Sequence, residues 1–146
     1  MNYQLELDIN APRERVIELF LDPDNLKKWQ PDLVSFTLIS GVGREVGAKS
    51  SQIQRMGKRE SEIIETIVEP NPPYEYAATY EGGSVWNLIE NRFVKTDGNT
   101  THWILDNTFK ASGVIGILSF VMPGMFKKQT LKFMNMFKTF VEVSCE

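Results

Sequence analysis

The sequence predicts an α+β fold, a curved seven-stranded antiparallel sheet with two short helices and a long C-terminal helix laid against it. Three observations predict it. Between about residues 32 and 112, six segments rich in β-forming residues are separated by brief glycine- or proline-containing breaks. Breaks that short join antiparallel neighbours, because a parallel crossover needs a dozen or more residues. One alternating segment, Tyr3 to Ile9, precedes them, and the apolar period lengthens to that of a helix after them.

In the first segment Tyr3, Leu5, Leu7 and Ile9 share one face and Gln4, Glu6 and Asp8 the other, the pattern of a half-buried strand. Asn10-Ala11-Pro12 stops it. Asn10 or Ala11 suits an N-cap and Pro12 the first turn of a helix running to Leu21, with Val16, Ile17 and Phe20 at helical spacing. Asp22-Pro23 repeats the signal for a second short helix to about Lys28. Strands are then expected at about 33–41, 46–56, 59–69, 74–81, 84–96 and 100–111, with no gap long enough for a crossover helix. In the tail, Phe126, Phe133, Phe137 and Phe140 fall on one side of a helix, flanked by Met134 and Val141. Pro123-Gly124 should interrupt that helix or mark its start.

Composition narrows the function without naming it. A chain of 146 residues reads as one domain, residues 1–146, large enough to fold without a metal or disulfide staple. Sixteen basic against nineteen acidic residues leave a net charge of −3, and the basic doublets are scattered, so no nucleic-acid partner is expected. A single Cys and a single His exclude an internal disulfide and a multi-His metal centre; neither metal nor cofactor is expected. The first residues carry no signal-peptide pattern, and the longest apolar stretch, Val114 to Phe126, is too short for a membrane span. The expectation is a cytoplasmic protein without stable membrane insertion.

A sheet of seven strands curls as its twist accumulates, and a curled sheet gripping a helix cannot pack flush everywhere. A cavity between sheet and helix follows, closed at one end by the short helices. Parity assigns Tyr74, Tyr76, Ala78 and Tyr80 to its wall, with Val85, Asn87, Ile89, Asn91 and Phe93 from the next strand and Trp103, Leu105, Asn107, Phe109 and Ala111 from the last, because the opposite faces carry most of the charge. A three-residue loop, Asp97-Gly98-Asn99, keeps the last two sets on one face, sets Phe93 opposite Trp103 and suits Gly98 or Asn99 at positive φ.

The order of these pieces carries a resemblance. Ala11-Pro12, Val16-Ile17-Glu18-Leu19-Phe20, Asp22-Pro23, Leu26-Lys27-Lys28-Trp29, Ile67-Val68-Glu69-Pro70 with Pro72-Pro73-Tyr74, Asp97-Gly98-Asn99-Thr100 and Met134 to Glu142 follow one another over nearly the whole chain. The chain resembles the START-related superfamily, also called SRPBCC or birch-pollen-allergen-like, and most of all its polyketide cyclase/dehydrase and lipid transport branch. The resemblance implies the helix-grip fold. It does not imply one activity, because the superfamily contains carriers, cyclases, receptors, chaperone cofactors and oxygenase domains.

The expected ligand site is Tyr76, Tyr80, Asn87, Ile89, Asn91, Phe93, Trp103, Leu105, Asn107, Phe126, Phe133 and Phe137, an apolar lining with a few neutral polar points. Such a site suits a small lipophilic molecule, lipid- or polyketide-like. The alternative is an enzyme of the cyclase/dehydratase kind, which needs an ionisable group at the wall. Catalytic residues are not assigned. His102 points to solvent on this parity; one of Glu60, Glu62 and Glu65 could face inward with a raised pKa, but Ile63 and Ile67 oppose Ile64 and Val68, so their parity stays open. The methionine-rich stretch around Pro123 is core filler, a deformable lid over the pocket, or a patch for a membrane or a homodimer partner.

Overall fold

The computed structural model describes residues 2–145. Strand β1 (Asn2–Ile9) leads into α1 (Arg13–Leu21), a single 3-10 turn (Pro23–Asn25) and α2 (Leu26–Trp29). Strands β2 (Leu33–Ser40), β3 (Lys49–Met56), β4 (Arg59–Asn71), β5 (Glu75–Gly82), β6 (Val85–Asp97) and β7 (Thr100–Ala111) follow, then α3 (Gly113–Val121) and α4 (Pro123–Ser144). The helix-grip α+β architecture is the one the sequence predicts. Pro12 itself is the N-cap of α1, one residue later than expected, and the apolar tail divides at Met122 into two helices.

The sheet order is β1-β7-β6-β5-β4-β3-β2, antiparallel throughout. The meander β2 to β7 is closed by β1, which adds to β7 and leaves β1 and β2 as edges. Register explains the docking of β1. Leu7 faces Trp103, Leu5 faces Leu105 and Tyr3 faces Asn107, so the inward sets of the two strands coincide.

The β6–β7 connection differs from the expected three-residue loop. Asp97 pairs with Thr100 across Gly98-Asn99, and a register shift between Lys95 and Asp97 leaves Thr96 as the extra residue. The bulge supplies the parity change that the third loop residue was expected to supply, so Phe93 does lie opposite Trp103. Neither Gly98 nor Asn99 adopts positive φ. Asp97 instead holds the turn by accepting the Asn99 backbone N–H at 3.0 Å.

The core lies between the sheet and the C-terminal half of α4. Met134, Phe137 and Val141 are fully buried there against Ile9, Val16, Leu105 and Trp103. Phe20 of α1 is the hub, with its ring edge-on to Tyr76, Phe93, Trp103 and Phe137. This aromatic block supports one end of α4. The N-terminal half of α4 has no fully buried residue, and the sheet curves away beneath it.

Candidate functional site

A cavity of about 360 Å³ occupies that space. Its walls come from β1, β3, β4, β5, β6 and β7, its end from Phe20, Leu26, Trp29 and Gln30, and its roof from Phe126, Gln129, Thr130 and Phe133 of α4. Of the expected site residues, Tyr76, Tyr80, Asn87, Ile89, Asn91, Leu105, Asn107, Phe126 and Phe133 line it. Phe93, Trp103 and Phe137 do not. They are the aromatic block itself, at most 2% exposed, with Phe93 stacked on Trp103 and Phe137 edge-on to Trp103. The inward faces of β6 and β7 run past the end of the cavity, and α1 fills the groove there. Tyr74 is also displaced from its expected place. It precedes β5, is 53% exposed and stacks under the Arg13 guanidinium.

The cavity is not uncharged, as the sequence suggested. Inward parity on β4 falls on Ile63, Glu65 and Ile67, which turns Glu60 and Glu62 outward and buries Glu65 to 5% exposure. Tyr80, its direct partner across β5, donates its hydroxyl to Glu65 Oε2 at 2.8 Å. Gln52 of β3 donates to the same oxygen at 3.4 Å. Arg44 Nη1 stands 3.8 Å from Glu65 Oε1 and donates to the Tyr76 hydroxyl at 2.8 Å. Tyr76 accepts that bond and keeps its own proton to donate.

Arg44 reaches the cavity from the β2–β3 loop, not from a strand. Its φ is +68°, the one left-handed non-glycine backbone among the described residues. The loop is pinned on β4, where Gly47 N–H donates to Ile67 O at 2.8 Å and Ile67 N–H to Ala48 O at 3.0 Å, two residues from Glu65. At Gly41 (φ +81°) a Cβ would come within 2.9 Å of the Ala48 backbone, so only glycine closes the loop. The guanidinium lies over the rings of Phe36 and Tyr76.

Burial sets the proton affinities. Loss of water raises the Glu65 carboxyl above its ordinary pKa, and the Tyr80 hydrogen bond and the Arg44 charge offset only part of this. Burial and the neighbouring Glu65 push Tyr76 up to about 12 and Tyr80 well above the phenol value. Both phenols are therefore neutral hydrogen-bond donors at neutral pH.

A second polar group lies on the opposite wall. Asn107 donates to the Tyr3 hydroxyl at 2.7 Å, that hydroxyl is 2.6 Å from Thr130 Oγ1, and Asn87 donates to Asn107 at 3.4 Å. This network ties β1, β6, β7 and α4 together at the roof. Asn91, by contrast, is spent on the protein. It accepts from the Trp103 indole N–H at 2.9 Å and donates to the Tyr76 carbonyl at 3.1 Å. His102 lies on the outer face of the sheet, with Nδ1 2.7 Å from Asp8, away from the cavity lining. No group of His, Cys, Asp and Glu that could hold a metal ion is present among the described residues.

Comparison with known proteins agrees with this geometry. The model of the family described as polyketide cyclase / dehydrase and lipid transport matches residues 2–142. The chain belongs to that family. Solved structures share its fold at low identity. A conserved protein from Geobacillus kaustophilus is 18% identical, with 99% of this chain and 97% of that one covered and a TM-score of 0.81. The Zhui aromatase/cyclase from Streptomyces sp. R1128 is 12% identical over 100% and 96%, with a TM-score of 0.79. A protein from Thermus thermophilus is 17% identical over 100% of both chains, with a TM-score of 0.78. No curated protein matches the chain.

Within this family fold, Arg44, Gln52 and the side of β4 were the parts that strand parity did not reach. Arg44 sits between glycines in a loop whose conformation no periodicity encodes. Glu65 lies in a strand with isoleucines on both faces, so alternation gave no direction.

Proposed function

We propose that the protein binds a small lipophilic ligand in the cavity, with its polar end against Arg44, Glu65, Tyr76 and Tyr80. The observation that carries this reading is the lining itself. Apolar and aromatic walls enclose a volume within the usual range for small-molecule sites, roughly 300–1,000 Å³, and the charged pair is confined to the β3–β5 side. The polar end is rich in donors. The Tyr76 proton is available, and Arg44 Nη2 is buried without an acceptor in the protein. A ligand carrying a carbonyl, enol or carboxylate oxygen would meet those donors, whereas a pure hydrocarbon would not. The family description, lipid transport and cyclisation, fits a ligand of that kind. We place this activity in the cytoplasm, in a protein that binds no nucleic acid.

Native mass spectrometry of the freshly purified protein, and titration of the delipidated protein with 1-anilinonaphthalene-8-sulfonate, test the reading. One-to-one binding should disappear in Ile89→Trp, which fills the cavity, and persist in Phe120→Asp, which alters only an exposed helix. Absence of binding, or binding that Ile89→Trp leaves intact, overturns it.

Glu65 favours a second reading, proton-transfer catalysis on a polyketide-like substrate. In its ionised form the Glu65 carboxylate, made more basic by burial, can take an α-proton from a bound ketone while Tyr76 donates to the enolate oxygen beside the Arg44 charge, and the same carboxyl returns the proton to the carbon. Deuterium exchange at the central carbon of a bound β-diketone is the assay. Exchange that Glu65→Gln abolishes, with binding retained, supports catalysis; binding without exchange leaves the carrier reading alone.

A further inference from the structure

The helix α3 has no place in the core. None of its nine residues is buried, and none is charged. Its one hydroxyl, Ser119, donates back to the Gly116 carbonyl at 2.7 Å. Val114, Ile117, Phe120 and Val121 are 64% to 89% exposed and share one side of the helix, and exposed Met122, Met125 and Leu131 continue the patch onto α4. Isolated exposed apolar residues are ordinary, but a contiguous set of this kind marks a contact surface.

The charge around the patch identifies the contact. Between Asp106 and Glu142 the only charged residues are Lys110, Lys127, Lys128, Lys132 and Lys138, and all nineteen acidic residues of a net-negative chain lie elsewhere. Lys110, near the end of β7, lies over the Trp86 ring on the outer face of the sheet, whereas Lys127 and Lys128 stand exposed in the second turn of α4, beyond the end of α3. Met125, Lys128, Leu131 and Lys132 recur at helical spacing, and all four are exposed. Glu81 is the nearest carboxylate by register, reached from Lys110 only across Trp86.

We propose that the α3–α4 corner docks the protein on an anionic lipid surface. The apolar side of α3 enters the headgroup boundary, and Lys127, Lys128 and Lys132 beyond its C-terminal end meet lipid phosphates and carboxylates. A second copy of the chain is a poor occupant, because symmetric pairing of the patch would bring the two lysine sets together. Docking by this corner also lays the cavity roof, Phe126 to Phe133, beside the lipid phase, where a lipophile would exchange. The contact is peripheral, since no described helix is long and apolar enough to cross a membrane. It does not depend on what the cavity holds.

The test is flotation with vesicles of phosphatidylcholine alone or with about 30% phosphatidylserine, at roughly 0.05 M and 0.5 M salt. Binding should require phosphatidylserine and fall at the higher salt. Each lysine at an anionic surface is worth about fivefold in partitioning, so the double variant Lys127→Gln/Lys128→Gln should lose roughly twenty-five- to thirtyfold. Phe120→Asp should abolish flotation while its circular dichroism and one-to-one 1-anilinonaphthalene-8-sulfonate binding in the cavity stay as in the parent. No flotation of the parent, flotation indifferent to phosphatidylserine and salt, or a concentration-dependent dimer broken by Phe120→Asp without vesicle binding would each overturn the proposal.

Discussion

Replacing Glu65 with Gln measures which of two opposed effects governs the cavity's carboxyl. Removal from water penalises the anion by several kcal/mol. Arg44, 3.8 Å away, returns about 4 kcal/mol at an effective dielectric constant near 20. Tyr80 adds a hydrogen bond to the other oxygen. Burial outweighs them, and the folded-state pKa stands above the ordinary 4.5. As pH rises the unfolded chain therefore ionises first, the folded state holds more protons, and stability falls. The group's full contribution is present below the unfolded pKa and is lost as pH rises through the folded one. Over that window the wild type should lose up to about 1.4 kcal/mol per pH unit relative to Glu65→Gln, which does not titrate. Urea unfolding of both proteins at steps from about pH 4 to about pH 8 gives the difference, and groups common to both cancel. The difference between a neutral carboxyl and the amide adds an offset independent of pH, whereas the attraction of Arg44 for the anion is already contained in the folded-state pKa. A difference that is flat across this range refutes the burial argument. One that rises with pH shows that Arg44 and Tyr80 prevail and that the site holds a carboxylate.

Phe137→Ala should destabilise the protein by about 3–5 kcal/mol in chemical denaturation, because its fully buried ring meets Phe20, Trp29 and Trp103 at centroid distances of 5.3, 5.0 and 5.5 Å; a loss below about 1 kcal/mol would mean that the core does not hold α4. Thr101→Val should cost about 1–3 kcal/mol by leaving the Ala11 carbonyl unpaired, since the buried Thr101 hydroxyl donates to it at 2.8 Å; Thr101→Ser should recover most of this, and equal losses in the two variants would count against the bond. The hydrogen bond to Asp8 is the main cause raising the His102 pKa above 6.5. Its stabilisation is full below pH 6.5 and disappears as pH rises through the folded value. Asp8→Asn should bring the NMR titration midpoint of the ring back toward 6.5, and an unmoved midpoint would contradict that cause.

Much of the wall was legible because β-strands alternate. Once Trp103 and Asn107 were placed inward, Leu105 and Phe109 followed, and antiparallel pairing carried the assignment to β6. The same logic overreached where the groove is filled. Phe93 and Trp103 have the right parity and Phe137 the right helix face, but all three have the wrong depth, and depth along an element depends on what packs above it. Phe20 settles that, and its helix is not periodic with the sheet. On β4 alternation was silent, because Ile63 and Ile64, like Ile67 and Val68, satisfy either face. Only pairing with Tyr80 on one side and Ser50 on the other turns Glu65 inward.

Local chemistry therefore determined the elements, the antiparallel meander, the apolar character of the wall and the break at Pro123, since each depends on residues close in the chain. The tertiary structure decided what depends on distant segments meeting. It placed β1 beside β7, replaced a loop residue with a bulge at Thr96, and brought Arg44 from a loop to Glu65 on a strand. It also left α3 outside the core, resting on β7 and α4 with none of its residues buried, because where an apolar helix packs depends on distant segments and not on its own sequence.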